Sequence, residues 1–286
     1  MSIPEPRTAA GAAGLAALLK DPARAVVALD FDGTLAPIVP DPERAYAHPG
    51  AVDALARIAP RLAAVVVLTG RPAGTAVRLG GFAGAADLDR LIVLGHYGLE
   101  RWDAATGELR APEEHPGIAA LRLELADLEL PEGVRIEDKG HALAVHTRRA
   151  ADPDASLAGL DGRLRALAAR HGLAVEPGRM VLELRPPGMD KGVALTGVLR
   201  ELGAGSVLFA GDDLGDLAGY DAVEALRADA GPVGGPPGGL PGLLVCSAPA
   251  TGEPPVAALA DRADLVVPGP DGVVELLTAL AGELAG

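Results

Sequence analysis

Residues 29–35 read LDFDGTL and directly follow the apolar run AVVA (25–28). A short Val-rich run of this kind predicts a strand buried on both faces, as in parallel sheets that are covered by helices. Asp30 and Asp32 at its end are costly to bury unless a cation or an ionic partner compensates them. A hard divalent cation such as Mg²⁺, which takes oxygen ligands, would do so, and Gly33 allows a turn whose N–H groups could face an anion. The alternative interpretation is a capping aspartate followed by an Asp-Gly turn.

Apolar runs rich in Val and Leu alternate with Ala-, Leu- and Arg-rich stretches of helical spacing over most of the chain. This alternation predicts a doubly wound, Rossmann-like α/β core around a parallel sheet, whose ligands bind beyond the carboxyl ends of the strands. The buried strands are predicted at Ala25–Asp30, Ala64–Thr69, Leu91–Gly95, Ser206–Gly211, Gly242–Ser247 and Asp264–Val267.

The middle of the chain has a different pattern. Its predicted strands show more polar alternation, as in a sheet with one solvated face, and helical stretches accompany them. Residues 108–187 are therefore predicted to form a small inserted α/β domain, which leaves 1–107 and 188–286 for the core domain. Pro112 and Pro186 near the borders disfavour a continued helix or strand.

Composition narrows the class of protein. Of the 286 residues, 49% are hydrophobic, and this fraction excludes a disordered chain. The formal net charge is −14, which argues against nucleic acid or an anionic membrane surface as a partner. A single cysteine, the lack of an apolar run of about 18–20 residues and the lack of a secretory signal favour a cytoplasmic protein, expected to be a monomer. The Gly- and Pro-rich segment 231–239 is predicted to be a loop without an assigned function.

Three further elements carry groups suited to binding an anion or a metal. Thr69 ends the second apolar run and offers a hydroxyl to a phosphoryl oxygen, although a lone Thr-Gly is more often a helix N-cap. Lys191, one of three lysines, begins a predicted helix, where the helix dipole also favours an anion. Asp212 lies in GDDLGD (211–216), whose acids repel one another unless a metal or a lysine neutralises them. A solvated acidic loop is the alternative for this segment.

The chain contains four elements in the order DFDGT, Thr, Lys and GDDLGD. This order resembles the signature of the haloacid dehalogenase superfamily of phosphotransferases, which is DxDGT, then Ser or Thr, then Lys, then GDxxxD. The resemblance implies that Asp30 is a nucleophile that forms an aspartyl-phosphate and that Asp32 is the general acid and base. It implies that Asp30, the main-chain carbonyl of Asp32 and Asp212 hold Mg²⁺, while Thr69 and Lys191 bind phosphoryl oxygens. The core would then be a hydrolase domain, and the inserted domain a cap that supplies specificity.

The chain also resembles the trehalose-6-phosphate phosphatase family. The resemblance lies in the longer string DFDGTLAPI (30–38), the run GHYGLE (95–100) and charged residues of the inserted domain. In that family, a Glu-x-Lys pair and a later Glu of the cap contact the distal sugar of a phosphorylated disaccharide. The substrate-binding residues expected from the resemblance are Gly33, Arg71, His96, Glu137, Lys139 and Glu183.

The activity expected from this resemblance is Mg²⁺-dependent hydrolysis of trehalose 6-phosphate. The chain reads GDDLGDLAGY (211–220) where the family commonly has GDDxTDEDAF, so the metal-bearing acids are kept while a Thr and a Glu are lost. Another phosphorylated disaccharide or pseudo-disaccharide is therefore an alternative substrate. A phosphomutase and a catalytically silent sugar-phosphate-binding domain are further alternatives, and the intact acids, threonine and lysine of the four motif elements disfavour the silent domain. Asp213, Asp216 and His146 receive no role.

Overall fold

The computed structural model describes residues 2–178, 180–229, 239–249 and 254–285, so the predicted loop at 231–239 lies, except for Gly239, outside the described residues. The helices within these ranges are α1 (Ala9–Lys20), α2 (Ala51–Ile58), α3 (Ala73–Gly80), α4 (Pro116–Ala126), α5 (Pro153–Arg170), α6 (Lys191–Glu201), α7 (Leu217–Ala228), α8 (Ala257–Ala260) and α9 (Gly269–Ala285). The strands are β1 (Ala25–Leu29), β2 (Ala64–Leu68), β3 (Leu91–Gly95), β4 (Glu100–Asp103), β5 (Glu108–Arg110), β6 (Arg135–Asp138), β7 (Leu143–His146), β8 (Ala174–Gly178), β9 (Val181–Arg185), β10 (Ser206–Gly211), β11 (Gly242–Ala248) and β12 (Leu265–Pro268).

The larger sheet has the strand order β12-β11-β10-β1-β2-β3-β4-β5. Its strands are parallel from β12 to β3, and the hairpin β4–β5 adds an antiparallel edge. The sequence prediction did not include β4 and β5, because they are short and mostly charged, which is common for a sheet edge but resembles a loop in sequence. The predicted α/β class with a parallel sheet is confirmed.

Helices cover both faces of this sheet. In β1 the side chains alternate between two separate cores: Val27 and Leu29 pack with residues of α2 and α9, whereas Val26 and Ala28 pack with residues of α6 and α7. All of β1 is buried, which explains why its sequence is an unbroken apolar run. Two apolar faces on one strand require a helical layer on each side, and this is the doubly wound arrangement.

The chain divides into two compact units, Met1–Arg110 with Asp190–Gly286, and Ala111–Met189. The sequence pattern predicts that the inserted domain starts at residue 108. Residues 108–110 form β5, which pairs with β4 in the larger sheet, and they therefore belong to the first unit.

The second unit has a four-stranded antiparallel sheet, in the order β6-β7-β9-β8, with α4 and α5. Leu143, Val145, Leu182 and Leu184 pack against these helices in one core. Glu183 alternates with the two leucines of β9 and therefore points to the opposite face of the sheet. One face of this sheet is thus apolar and the other carries polar groups.

Candidate functional site

The candidate site lies at the carboxyl ends of the central strands β1 and β10. These strands are parallel neighbours, with Leu29 in register with Ala210. The strands that follow β1 in the sequence lie on one side of this pair, and those that follow β10 lie on the other side. Asp30 follows β1 and donates its N–H to the carbonyl of Ala210 (2.9 Å), while Asp212 follows β10. In open α/β sheets, this reversal of strand order is the place where ligands bind.

A buried lysine joins two buried carboxylates at this place. Lys191 is 4% exposed, and its Nζ lies 2.6 Å from Oδ1 of Asp30 and 2.7 Å from Oδ1 of Asp216. Lys191 is the first residue of α6, and the side chain of the N-cap Asp190 accepts hydrogen bonds from the backbone N–H groups of Gly192 and Val193. This cap fixes the start of the helix and, with it, the origin of the lysine side chain.

Asp216 is a residue of this site to which the sequence analysis gave no role. It is completely buried, and its Oδ2 accepts backbone N–H groups from Asp212 (2.9 Å) and Asp213 (3.2 Å). Its side chain therefore shapes the loop that presents Asp212 and also binds Lys191. The available signal was its place as the last acid of GDDLGD.

Three carboxylates crowd the site: one oxygen from each of Asp30, Asp212 and Asp216 lies within 4.8 Å of the other two. Burial and the nearby carboxylates hold the pKa of Asp30 well above its ordinary value, although Lys191 acts against this shift. Burial, with the charges of Asp30 and Asp216, raises the pKa of Asp212 to about 10. One ammonium does not balance three carboxylates, so this donor set fits a hard cation with oxygen ligands.

The carboxylate of Asp32 is not part of this cluster. It is one-third exposed and accepts two hydrogen bonds from Arg71, at 2.6 Å from Nε and 2.7 Å from Nη2. The expected metal ligand of Asp32 is its main-chain carbonyl, and that assignment stays a prediction.

Gly33 lies in close contact with Asp212. Its φ is +78°, and a Cβ at this position would lie 2.0 Å from Oδ2 of Asp212, so no larger residue fits the turn. Its N–H donates to the carbonyl of Ala36 (2.7 Å), and its carbonyl accepts the hydroxyl of Ser247 (2.7 Å). Gly33 therefore gives Asp212 room, while its own N–H is used within the turn.

Thr69 and Arg71 lie on the loop after β2. Thr69 is 1% exposed, and its hydroxyl oxygen accepts the N–H of Arg71 (3.1 Å), which leaves the hydroxyl hydrogen able to donate to an anion. The loop His96-Tyr97-Gly98 holds this segment through its backbone. The N–H of His96 donates to the carbonyl of Arg71, and that of Tyr97 to the carbonyl of Thr69, both at 2.9 Å.

His96 is fully buried, and its Nε2 lies 3.7 Å from a carboxylate oxygen of Glu100. Glu100 also accepts the N–H of Ala73, the first residue of α3, at 2.6 Å. Glu100 is not among the predicted site residues, and it links the loop after β3 to the helix after β2. The expected contact of His96 with substrate stays a prediction.

The expected sugar-binding residues of the second unit form one ion pair and one hydrogen bond between a histidine and a carboxylate. Lys139 Nζ lies 2.6 Å from Oε2 of Glu183, and Glu137 lies 2.7 Å from Nε2 of His146. Glu183 is 6% exposed, and its Oε1 accepts no hydrogen bond from any residue that the structure describes. A buried charged acceptor in this state is costly unless a ligand or water satisfies it.

Comparison with known proteins shows which family the chain is similar to. A family model described as trehalose-phosphatase matches residues 28–233. A trehalose-phosphate phosphatase of Mycobacterium tuberculosis is 34% identical over 212 residues, which cover 69% of this chain and 51% of that protein. An uncharacterized glycosyl hydrolase of the same organism is 36% identical over 218 residues, which cover 70% of this chain and 15% of that protein.

Solved structures of low identity show the same fold. The C-terminal domain of trehalose-6-phosphate phosphatase from Candida albicans matches with a TM-score of 0.73 and 20% identity, over 99% of both chains. The chain spans about half the length (51%) of the M. tuberculosis trehalose-phosphate phosphatase that it matches. Among the described residues, no helix is long and apolar enough to cross a membrane.

Proposed function

The chain belongs to the trehalose-phosphatase family, and from this premise we propose that it hydrolyses trehalose 6-phosphate to trehalose and phosphate. The observation that carries the proposal is the buried Asp30, bound by Lys191 beside two further carboxylates at the switch point of the sheet. A carboxylate that attacks a phosphate meets an anion, so it needs positive charge at the point of attack. Lys191 supplies that charge.

In the first step, an oxygen of Asp30 forms a bond to phosphorus and the bond from phosphorus to the sugar oxygen breaks. Asp32 gives its proton to the leaving sugar oxygen, since an alkoxide is a poor leaving group. Thr69 and Lys191 bind the phosphoryl oxygens. The product of this step is trehalose, with the phosphoryl group held on Asp30 as an aspartyl-phosphate.

In the second step, Asp32 accepts a proton from water as the water oxygen bonds to phosphorus. The bond between Asp30 and phosphorus breaks, which releases phosphate and restores both carboxyl groups. The covalent intermediate divides one difficult displacement into two easier ones, and the same residue serves first as acid and then as base.

Mg²⁺ is the proposed cofactor, because the crowded carboxylates fit a hard cation. Asp30, Asp212 and the main-chain carbonyl of Asp32 would hold it, with Asp216 orienting the Asp212 loop and Lys191. When bound, the ion supplies charge neutralisation for the approach of two anions.

The second unit is proposed to read the sugar as a cap. Glu137, Lys139 and Glu183 offer acceptors and a donor, and sugar hydroxyls both donate and accept hydrogen bonds. The buried Oε1 of Glu183 supports this role, since a sugar hydroxyl would satisfy it. A monomeric state and a cytoplasmic location stay predictions.

A panel of sugar phosphates tests the proposed function. Purified protein is mixed with trehalose 6-phosphate, a second disaccharide phosphate and glucose 6-phosphate, and kcat/KM is measured from free phosphate. We expect the highest value for trehalose 6-phosphate and complete loss with EDTA, restored by excess Mg²⁺. Phosphate release only from the other disaccharide phosphate would support the proposed phosphatase reaction but contradict trehalose 6-phosphate as the substrate. Formation of an isomeric sugar phosphate without free phosphate would indicate a phosphomutase. The absence of any reaction would indicate a catalytically silent binding domain.

The variant Glu183→Gln tests the sugar-binding role. Its amide still accepts from Lys139, but it loses the charge offered to a sugar hydroxyl, so we expect kcat/KM for trehalose 6-phosphate to fall about 10- to 100-fold. Hydrolysis of 4-nitrophenyl phosphate, which has no sugar, should change less than about threefold. Glu132→Gln, at an exposed position of the same unit, is the matched control. Equal losses on both substrates would contradict a role in sugar selection.

A further inference from the structure

Arg71 holds the carboxylate of Asp32 in a bidentate ion pair. The two hydrogen bonds run from Nε to Oδ2 at 2.6 Å and from Nη2 to Oδ1 at 2.7 Å, so both oxygens of the carboxylate are held by one guanidinium. Each carboxylate oxygen has a second lone-pair site, so a proton can still be carried while both bonds are kept. The direction in which Asp32 offers that site therefore depends on Arg71.

The side chain of Arg71 is itself fixed in place. Its Nη1 donates to the carbonyl of Pro42 (2.9 Å), and its guanidinium carbon lies 5.9 Å from the centre of the Phe31 ring. Phe31 is fully buried and separates Asp30 from Asp32 in the chain. The guanidinium is thus held against the same segment that carries both carboxylates, and 14% of its side chain is exposed.

The backbone of Arg71 is held by the loop that offers Thr69. Its N–H donates to the hydroxyl oxygen of Thr69 (3.1 Å), and its carbonyl accepts the N–H of His96 (2.9 Å). Arg71 therefore connects the loop after β2 to the loop after β1. The side chain of Asp32 is oriented by a residue that lies 39 positions away in the sequence.

We propose that Arg71 is a positioning residue, which sets the direction in which Asp32 delivers and later accepts its proton. Arg71 transfers no proton itself. Its planar fork fixes two oxygens at once, which the point charge of a lysine cannot do. This inference rests on the proposed function only in taking Asp32 as the acid and base of phosphoryl transfer.

The test is a series of aryl phosphates with leaving groups of graded pKa, assayed with Arg71→Met, Arg71→Lys and Asp32→Asn. The quantity kcat/KM reports steps up to loss of the leaving group, and it depends more steeply on leaving-group pKa when proton donation is lost. We expect Arg71→Met to lower kcat/KM about 100-fold for the poorest leaving group and less than about threefold for the best. Arg71→Lys should lie between the wild type and Arg71→Met.

The double variant Arg71→Met/Asp32→Asn decides whether Arg71 acts through Asp32. We expect it to match Asp32→Asn within about twofold, because there is no longer a proton donor to position. Arg78→Met, which removes an exposed ion pair with Glu43 in the same unit, should match the wild type throughout. The folding of each variant is checked by its circular dichroism spectrum and melting temperature.

A uniform loss for all leaving groups, which persists in the Asp32→Asn background, would overturn the inference and make Arg71 a direct ligand of the phosphoryl group. The inference would also be overturned if Arg71→Met left the dependence of kcat/KM on leaving-group pKa unchanged. The aryl phosphates contain no sugar, so these results stand even if trehalose 6-phosphate is not the substrate. Failure of the wild type on trehalose 6-phosphate alone would reject the proposed substrate and leave the role of Arg71 intact.

Discussion

Asp30→Asn is expected to lower kcat on trehalose 6-phosphate by at least about 10⁴-fold, because loss of a covalent nucleophile typically decreases the rate by this much or more. The amide has nearly the shape of the carboxyl group but cannot form the bond to phosphorus. The substitution also removes one negative charge from the carboxylate cluster of Asp30, Asp212 and Asp216. Phosphate release measures the loss, and intact-mass spectrometry after an acid quench should detect a phosphoryl adduct only on the wild type.

The folding of this variant separates catalysis from structure. Because burial and crowding favour the neutral form of Asp30, the neutral amide should leave the melting temperature of the metal-free protein unchanged or higher. Asp53→Asn, at an exposed position of α2, is the matched control and should keep full activity. Turnover of Asp30→Asn within tenfold of the wild type would remove the nucleophilic role from this residue.

Lys191→Met is expected to damage both stability and activity. The ammonium contacts Asp30 and Asp216, and its removal leaves buried carboxylates without their ionic partner, which typically costs about 3–5 kcal/mol. Activity should fall to background, because the ammonium that contacts the attacking carboxylate and is proposed to bind the phosphoryl oxygens is then missing. Urea unfolding and phosphate release measure the two effects. Lys20→Met, at the exposed end of α1, is the matched control.

The loss of stability in Lys191→Met should grow with pH. Asp30 and Asp212 have folded-state pKa values above the ordinary value of 3.8, with Asp212 at about 10, and Lys191 acts to lower both. Carboxyl groups with raised folded-state pKa values stabilise the fold at low pH and lose that contribution as the pH rises through those values. Metal-free Lys191→Met should therefore be closest to the wild type near pH 4 and furthest from it toward pH 10. A difference that is constant over this range would contradict the crowding of carboxylates.

Sequence reasoning was most informative where a residue follows a buried strand or begins a helix. Asp30, Thr69 and Asp212 each follow a parallel strand, and Lys191 begins a helix, so their common edge could be inferred from the alternation of strands and helices. The polar edge hairpin β4–β5 was not predicted, because strands with one exposed side carry no apolar run. Its omission also moved the expected border of the inserted domain to residue 108.

The sequence by itself determined the α/β core and which strand ends carry the acids, because buried parallel strands leave a strong apolar signal and end at one edge of the sheet. Only the tertiary structure decided how those acids are partnered. Asp216 joins the carboxylate cluster and binds Lys191, while the side chain of Asp32 turns to Arg71. These choices depend on how loops from distant parts of the chain pack against one another, and a strand pattern contains no information about the direction of a loop side chain.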